Sequence, residues 1–274
     1  MKRRSSLILL ILLCCRLAAA EDSRNTGFRV ITERSREGAV SLTIKSDYCV
    51  EFTVTLNATL KNMTPSVPLP LTVDAAGRSS FKLVTFTPAD RSIPWHYDYH
   101  YFWEYGGRRD STSNDADYAM PFGPGRYVVL QAPGGTFSHR VGTSSENAID
   151  WDVPEGTIVC AARDGRVVGV RDDSTVSGTD PKYKPQGNYV IIKHADGTFA
   201  DYHHLQTGGG LVKIGDDVRV GQAIGRSGKT GFASKPHLHF MVFQAIDGKK
   251  MLSLPFRLKT DHGTFTKFVK GQAY

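Results

Sequence analysis

Between residues 50 and 60, apolar and polar side chains alternate almost without fault. Val50, Phe52, Val54, Leu56, Ala58 and Leu60 fall on one side, and Glu51, Thr53, Thr55, Asn57 and Thr59 on the other. A period of two is the signature of a half-buried β-strand and is incompatible with the apolar stripe of a helix. Val40 to Ile44, Leu69 to Val73, Phe81 to Phe86 and Tyr97 to Glu104 repeat the same strand-like composition. Asp74-Ala75-Ala76-Gly77 and Pro88-Ala89-Asp90 supply turns between them. Short strands at this spacing predict an immunoglobulin-like β-sandwich over the first half of the chain. The stripe Tyr97, Tyr99, Tyr101, Trp103 is read first as strand packing and second as a binding surface.

The polar, glycine-bearing stretch 106–115 reads as a linker or exposed loop. Beyond it, residues 117–274 show short strands, many glycines and almost no helical periodicity. Val167 to Val170, Tyr189 to Lys193 and His237 to Phe243 read as strands, and Gly208-Gly209-Gly210 as a loop. The expected fold is therefore mainly β, in two parts.

The chain opens with Lys2, Arg3 and Arg4, then the apolar run Leu7 to Leu13, then Ala18-Ala19-Ala20. This order predicts a secretory signal peptide over residues 1–20, cut before Glu21. Cys14 and Cys15 suggest a lipoprotein signal as the alternative, but Leu12 and Leu13 stand where such signals carry small residues. No other run is apolar and long enough for a transmembrane helix. The net charge of +7 comes partly from this leader. Removing its four basic residues from 34 leaves 30 bases against 27 acids. A mildly basic chain suits an anionic polymer such as a cell wall and gives no case for nucleic acid. Only Cys49 and Cys160 remain after cleavage, too few for a cysteine metal site, so any metal falls to His, Asp or Glu. A disulfide between them and two separate buried thiols both stay open.

Six of the nine histidines lie between residues 139 and 239. In Pro236-His237-Leu238-His239-Phe240, a strand would turn both imidazoles to one face while Leu238 and Phe240 pack inward. Such a pair suits one metal ligand beside one general base. In Asp201-Tyr202-His203-His204-Leu205, strand geometry lets only one of the adjacent histidines face the same site easily. Asp150, at the edge of an apolar strand, is costly to bury unless paired, which makes it a candidate ligand.

Together these phrases resemble the lysostaphin/LytM-type zinc metallopeptidases. The likeness runs through Ala148-Ile149-Asp150, Pro154-Glu155-Gly156-Thr157, Ala161 to Val168, Gly187-Asn188-Tyr189-Val190, Tyr202-His203-His204-Leu205, Gly221 to Gly225, Ser227 to Gly231 and Pro236 to Phe240, in that order. It covers roughly 117–274. The resemblance implies a LytM-like β-sheet catalytic domain over 117–274, preceded by an accessory β-sandwich over 21–116. It implies zinc held by Asp150 and His239, catalytic roles for His204 and His237, and a place for Tyr189 along the cleft. The substrate would be the stem or bridge peptides of bacterial peptidoglycan, cut by a secreted or periplasmic enzyme. Oligomeric state is not legible.

One departure matters. The family's usual pattern sets a zinc-binding histidine four residues before the aspartate, where this chain has Glu146. Three arrangements are open. His139, eleven residues before Asp150, supplies the missing ligand across a loop; Glu146 itself binds; or the site is degenerate and the domain is a wall-binding or regulatory module. Lys235 and Met241 also depart from the family's usual residues, without touching the expected chemistry.

Overall fold

The computed structural model describes residues 28–109 and 114–274, so the expected signal peptide lies outside the described residues. The fold is mainly β. The first part of the chain supplies β1 (Phe28–Arg34), β2 (Val40–Ser46), β3 (Phe52–Lys61), β4 (Met63–Pro65), β5 (Leu71–Ala75), β6 (Ser80–Pro88) and β7 (His96–Tyr105). The second supplies β8 (Asp117–Ala119), β9 (Val128–Gln131), β10 (Ile149–Asp152), β11 (Ile158–Cys160), β12 (Gly165–Arg171) and β13 (Ser177–Gly178). A 3-10 turn (Pro181–Gln186) follows, then β14 (Asn188–Lys193), β15 (Phe199–Gly210), β16 (Asp217–Val218), β17 (Ala223–Ser227), β18 (Gly231–Phe232), β19 (Leu238–Ala245), β20 (Met251–Leu254), β21 (Arg257–Thr260) and β22 (Gly263–Phe265). No helix among the described residues is long and apolar enough to cross a membrane.

The first seven strands form two antiparallel sheets, β1-β2-β6-β4 and β5-β3-β7. They close over one core, where Val40, Leu42 and Ile44 meet Phe52, Val54, Leu56 and Trp103. Tyr97, Tyr99 and Tyr101 pack against this core rather than forming a separate surface. The alternation of β3 is half the story. Thr53 and Thr55, expected on a solvent face, are buried. Thr53 donates to Asp74 and to the Gly106 carbonyl, and Thr55 Oγ1 accepts the Gly248 amide at 3.0 Å. The second part of the chain covers that face.

The central sheet of the second part runs β16-β12-β14-β15-β19-β10-β9, with β11, β17 and β20 attached at its margins. Its strands obey the period of two. Val190, Ile192, Ala200, Tyr202, Leu238, Phe240 and Val242 face one core. Tyr189, Ile191, Phe199, Met241 and Phe243 face the other way and join the core of the sandwich. Gly106, at φ +90°, lies where a Cβ would stand 2.6 Å from Phe199, so a glycine lets the chain leave β7 tight against the sheet. The three glycines 208–210, expected as a loop, are the end of β15. Cys49 and Cys160 are both free thiols.

Candidate metal and catalytic site

The site is one cross-strand row of the central sheet. Antiparallel register sets Arg171 opposite Tyr189, Tyr189 opposite His203, His203 opposite His239, His239 opposite Asp150, and Asp150 opposite Gln131. Directly opposed residues share a face, so a set scattered over residues 131–239 becomes contiguous. The register shifts between Asp150 and Trp151, and again between Asn188 and Tyr189. Such bulges re-aim side chains beside a site.

Three ligand-type atoms converge. His239 Nδ1 lies 2.9 Å and His139 Nε2 3.2 Å from Asp150 Oδ1, and the two ring nitrogens are 3.3 Å apart. Donors about 2.0–2.1 Å from a tetrahedral zinc stand roughly 3.3 Å from one another, so the triad fits that ion. It is the one such group among the described residues. His139 comes from the loop between β9 and β10 and is fully buried. Glu146 is elsewhere: its carboxylate accepts the Gly142 amide at 2.8 Å and closes a turn of the same loop. Burial pushes the Asp150 carboxyl up, but the hydrogen bonds and charges of His139 and His239 outweigh it and hold the group well below the ordinary range. Burial lowers the His239 imidazole despite its carboxylate partner.

Two more histidines stand beside the triad. His237 Nδ1 donates to the Lys235 carbonyl at 2.9 Å, leaving Nε2 bare and 3.8 Å from Asp150 Oδ1. His204 Nδ1 donates to the Thr230 carbonyl at 2.7 Å, and its ring centre is 4.5 Å from that of His237. Because a carbonyl only accepts, both rings carry their proton on Nδ1 and offer Nε2 as a base. Burial, then the neighbouring histidines, pushes His204 well below the ordinary imidazole range, so it is neutral.

His204 has φ +65°, the left-handed region that glycine enters readily for want of a Cβ and a histidine seldom does. Strict alternation would send it to the core beside Tyr202; the twist turns it back to the site. Both members of the adjacent pair are thus brought together, with rings 4.9 Å apart, where one was expected. Tyr189 reaches the row but is only 4% exposed. It stacks on His203 at 5.6 Å and supports that ring rather than lining a cleft.

Sequence reasoning missed Gln131 and Thr230. Gln131 Nε2 donates to Asp150 Oδ2 at 3.0 Å, while its Oε1 accepts the amides of Phe137 and Ser138, so one side chain ties the His139 loop to the carboxylate. Thr230 Oγ1 accepts the Asn188 amide and donates to the Leu205 carbonyl. Gln131 carries no local signal, and Thr230 lies in the Ser227 to Gly231 phrase of the family likeness without a role assigned by it; the contacts of both become visible only once strand register is known.

Residues 144–251 match the model of peptidase family M23. That segment, about two fifths of the chain, is what resembles an M23 peptidase. The chain is 34% identical over 128 residues to an uncharacterized metalloprotease of Buchnera aphidicola, a stretch that is 46% of this chain and 30% of that one. It is 39% identical over 94 residues to peptidoglycan DD-endopeptidase ShyA of Vibrio cholerae, covering 34% of this chain and 19% of the relative. The chain thus spans less than a third of these relatives' length. Among solved structures, the catalytic domain of a mutant of prophage-encoded M23 protein EnpA from Enterococcus faecalis is 26% identical, with a TM-score of 0.38 over 50% of this chain and 93% of that one. The matched segment contains Asp150, His204, His237 and His239 but begins after His139.

Proposed function

We propose that this protein is a secreted zinc endopeptidase that hydrolyses the peptide cross-links or bridges of bacterial peptidoglycan. The observation that carries this is the convergence of His139 Nε2, Asp150 Oδ1 and His239 Nδ1, with the bare Nε2 atoms of His204 and His237 alongside. His139, Asp150 and His239 would hold the ion. Bound there, zinc would polarise the scissile carbonyl and make water a nucleophile near neutral pH. His237 Nε2 takes the proton as the water oxygen bonds to the carbonyl carbon, and returns it to the amine as the C–N bond breaks. His204, kept neutral by burial and its neighbouring histidines and held rigid by the Thr230 carbonyl, orients the reacting group. Residues 117–274 are the peptidase part, and residues 21–116 an immunoglobulin-like accessory sandwich. The ShyA likeness favours a peptidoglycan substrate. The Glu146 arrangement loses its support, because that side chain is bonded elsewhere in the loop.

The test is zinc content of mature protein (21–274) beside Asp150→Ala and His139→Ala, with release of soluble fragments from purified peptidoglycan. One zinc per chain in the parent, lost in both variants together with fragment release, is expected. A parent that binds no zinc from zinc-supplied medium and releases nothing refutes the assignment.

A further inference from the structure

His203 is the member of the row that the chemistry above leaves without a task. Its ring is fixed on four sides. Nδ1 lies 3.4 Å from Asp201 Oδ1 and 3.3 Å from Oδ2. One face stacks on Tyr189 with the planes 16° apart, and the edge meets His204. Its Nε2 edge lies over Gly187, where a Cβ would come within 2.3 Å of Nε2, so the ring occupies space that any other residue at 187 would fill. The opposed residue on β19 is His239, one of the three proposed ligands.

The fixing leaves one atom unused. Among the described residues His203 Nε2 has no hydrogen-bond partner. The His203 side chain as a whole keeps 21% of its surface exposed. A ring needed only for packing has no use for Asp201, a carboxylate set in the row of Ile191 and Met241 with 14% of its side chain exposed. Placing a carboxylate there is costly unless it is paired. What the pairing achieves is a defined tautomer: Nδ1–H points at Asp201 and Nε2 is left as an acceptor. An acceptor backed by a carboxylate attracts N–H groups and repels carboxylates.

We propose that His203 is a substrate-binding residue whose Nε2 accepts a hydrogen bond from an N–H donor of the bound peptide, with Asp201 as its positioning residue. The donor is either a backbone amide near the scissile bond or a side-chain amine of a diamino acid. The proposal rests on the peptidase assignment above.

The experiment measures kcat and KM of zinc-loaded mature protein on a soluble cross-linked stem-peptide dimer, for the parent, His203→Ala, His203→Gln and Asp201→Asn. Zinc content and far-UV circular dichroism are recorded on each. A parent without turnover refutes the peptidase assignment, and with it this one. Given an active parent, His203→Ala should raise KM about five- to tenfold with kcat within about threefold and zinc retained, the pattern of lost ground-state binding. His203→Gln, which keeps an acceptor, should recover part of the loss, and Asp201→Asn should show a smaller rise. Repeating the series with the side-chain amine acetylated, and separately with the amide N-methylated, identifies the donor: the modification that removes it also removes the difference between parent and His203→Ala. An unchanged KM in His203→Ala, loss of zinc in both His203 variants, or a difference that survives both modifications overturns the proposal.

Discussion

Asp150 uses both of its oxygens. Oδ1 meets His139 and His239, and Oδ2 accepts from Gln131. A ligand held by such an outer partner is oriented before the metal arrives, and losing the partner typically costs 10–100-fold in metal affinity. Gln131→Ala should therefore weaken zinc binding by about that factor in competition with a chromophoric chelator, while activity in saturating zinc falls far less. Equal affinity would mean that Gln131 only packs the loop. His194 makes a different prediction, away from the site. Its Nδ1 donates to the Asp164 carbonyl, and Nε2 is buried with no partner among the described residues, so charging the ring would place a proton where none of them accepts it. Burial pushes its pKa from 6.5 to about 4. Between those values the unfolded chain binds more protons than the native one, so stability is complete above about pH 6.5 and declines as pH falls toward 4. The full shift corresponds to about 3 kcal/mol. Urea unfolding of zinc-free protein at pH 7.5 and pH 4 should show the parent losing about that much more than His194→Gln, which keeps the donor but cannot titrate. Equal losses would exclude His194 as a source of the acid sensitivity.

Strands were the legible elements. β2, β3, β6, β7, β14 and β19 all alternate or run apolar between turn residues, and each forms where that pattern sets it, to within a few residues. His237-Leu238-His239 was legible for the same reason, since a period of two fixes facing without any tertiary knowledge. Loops and registers were not. Nothing local distinguishes His139 from a surface histidine, and the pairing of Asp150 with Gln131 exists only in the assembled sheet. The reversal at His204 comes from a single left-handed residue that no propensity announces. What holds that reversal is the segment around Thr230, whose hydroxyl joins the starts of β14 and the end of the His204 turn. Thr230→Val removes the hydroxyl at nearly constant volume and leaves the Asn188 amide and Leu205 carbonyl unpaired in a buried place. The expected result is a stability loss of about 1–3 kcal/mol and a fall in kcat with zinc content unchanged. Unchanged kcat would separate His204 from the chemistry. The loop carrying His139 is closed by Glu146 through the Gly142 amide. Glu146→Gln should leave the zinc content of the parent unchanged, because its carboxylate is bonded to the Gly142 amide and lies outside the proposed ligand set.

At the scale of the molecule, one sheet face does two things. The row Tyr189–His203–His239–Asp150 forms the candidate site; the next rows on the same face, with Ile191, Met241, Phe199 and Phe243, are buried under the sandwich. The two parts are also joined by Lys193 to Glu51 at 2.6 Å, by the Gly248 amide to Thr55, and by Arg109 to the Asp196 carbonyl. Tyr105 at the end of β7 packs on Phe199 with ring centres 6.3 Å apart, and its hydroxyl lies against Gly169. The domain boundary suggested by composition is therefore not a boundary in the core. Uncovering Ile191, Phe199, Met241 and Phe243 would return four large apolar side chains to water, at roughly 1.5–3 kcal/mol each. That sum rivals the net stability of a typical domain, about 5–15 kcal/mol. Residues 114–274 expressed alone should thus be poorly soluble or bind a hydrophobic dye, and should melt at least 10 °C below the full mature chain, which itself should unfold in a single transition. The opposite outcome, a soluble fragment with the same melting temperature, zinc content and peptidoglycan activity, would show that the shared core is dispensable and that the sandwich acts only as a tether. The fragment result also bears on specificity: since the sandwich covers the sheet up to the row beside the ligands, a fragment that does fold should accept substrates too bulky for the intact protein on that flank.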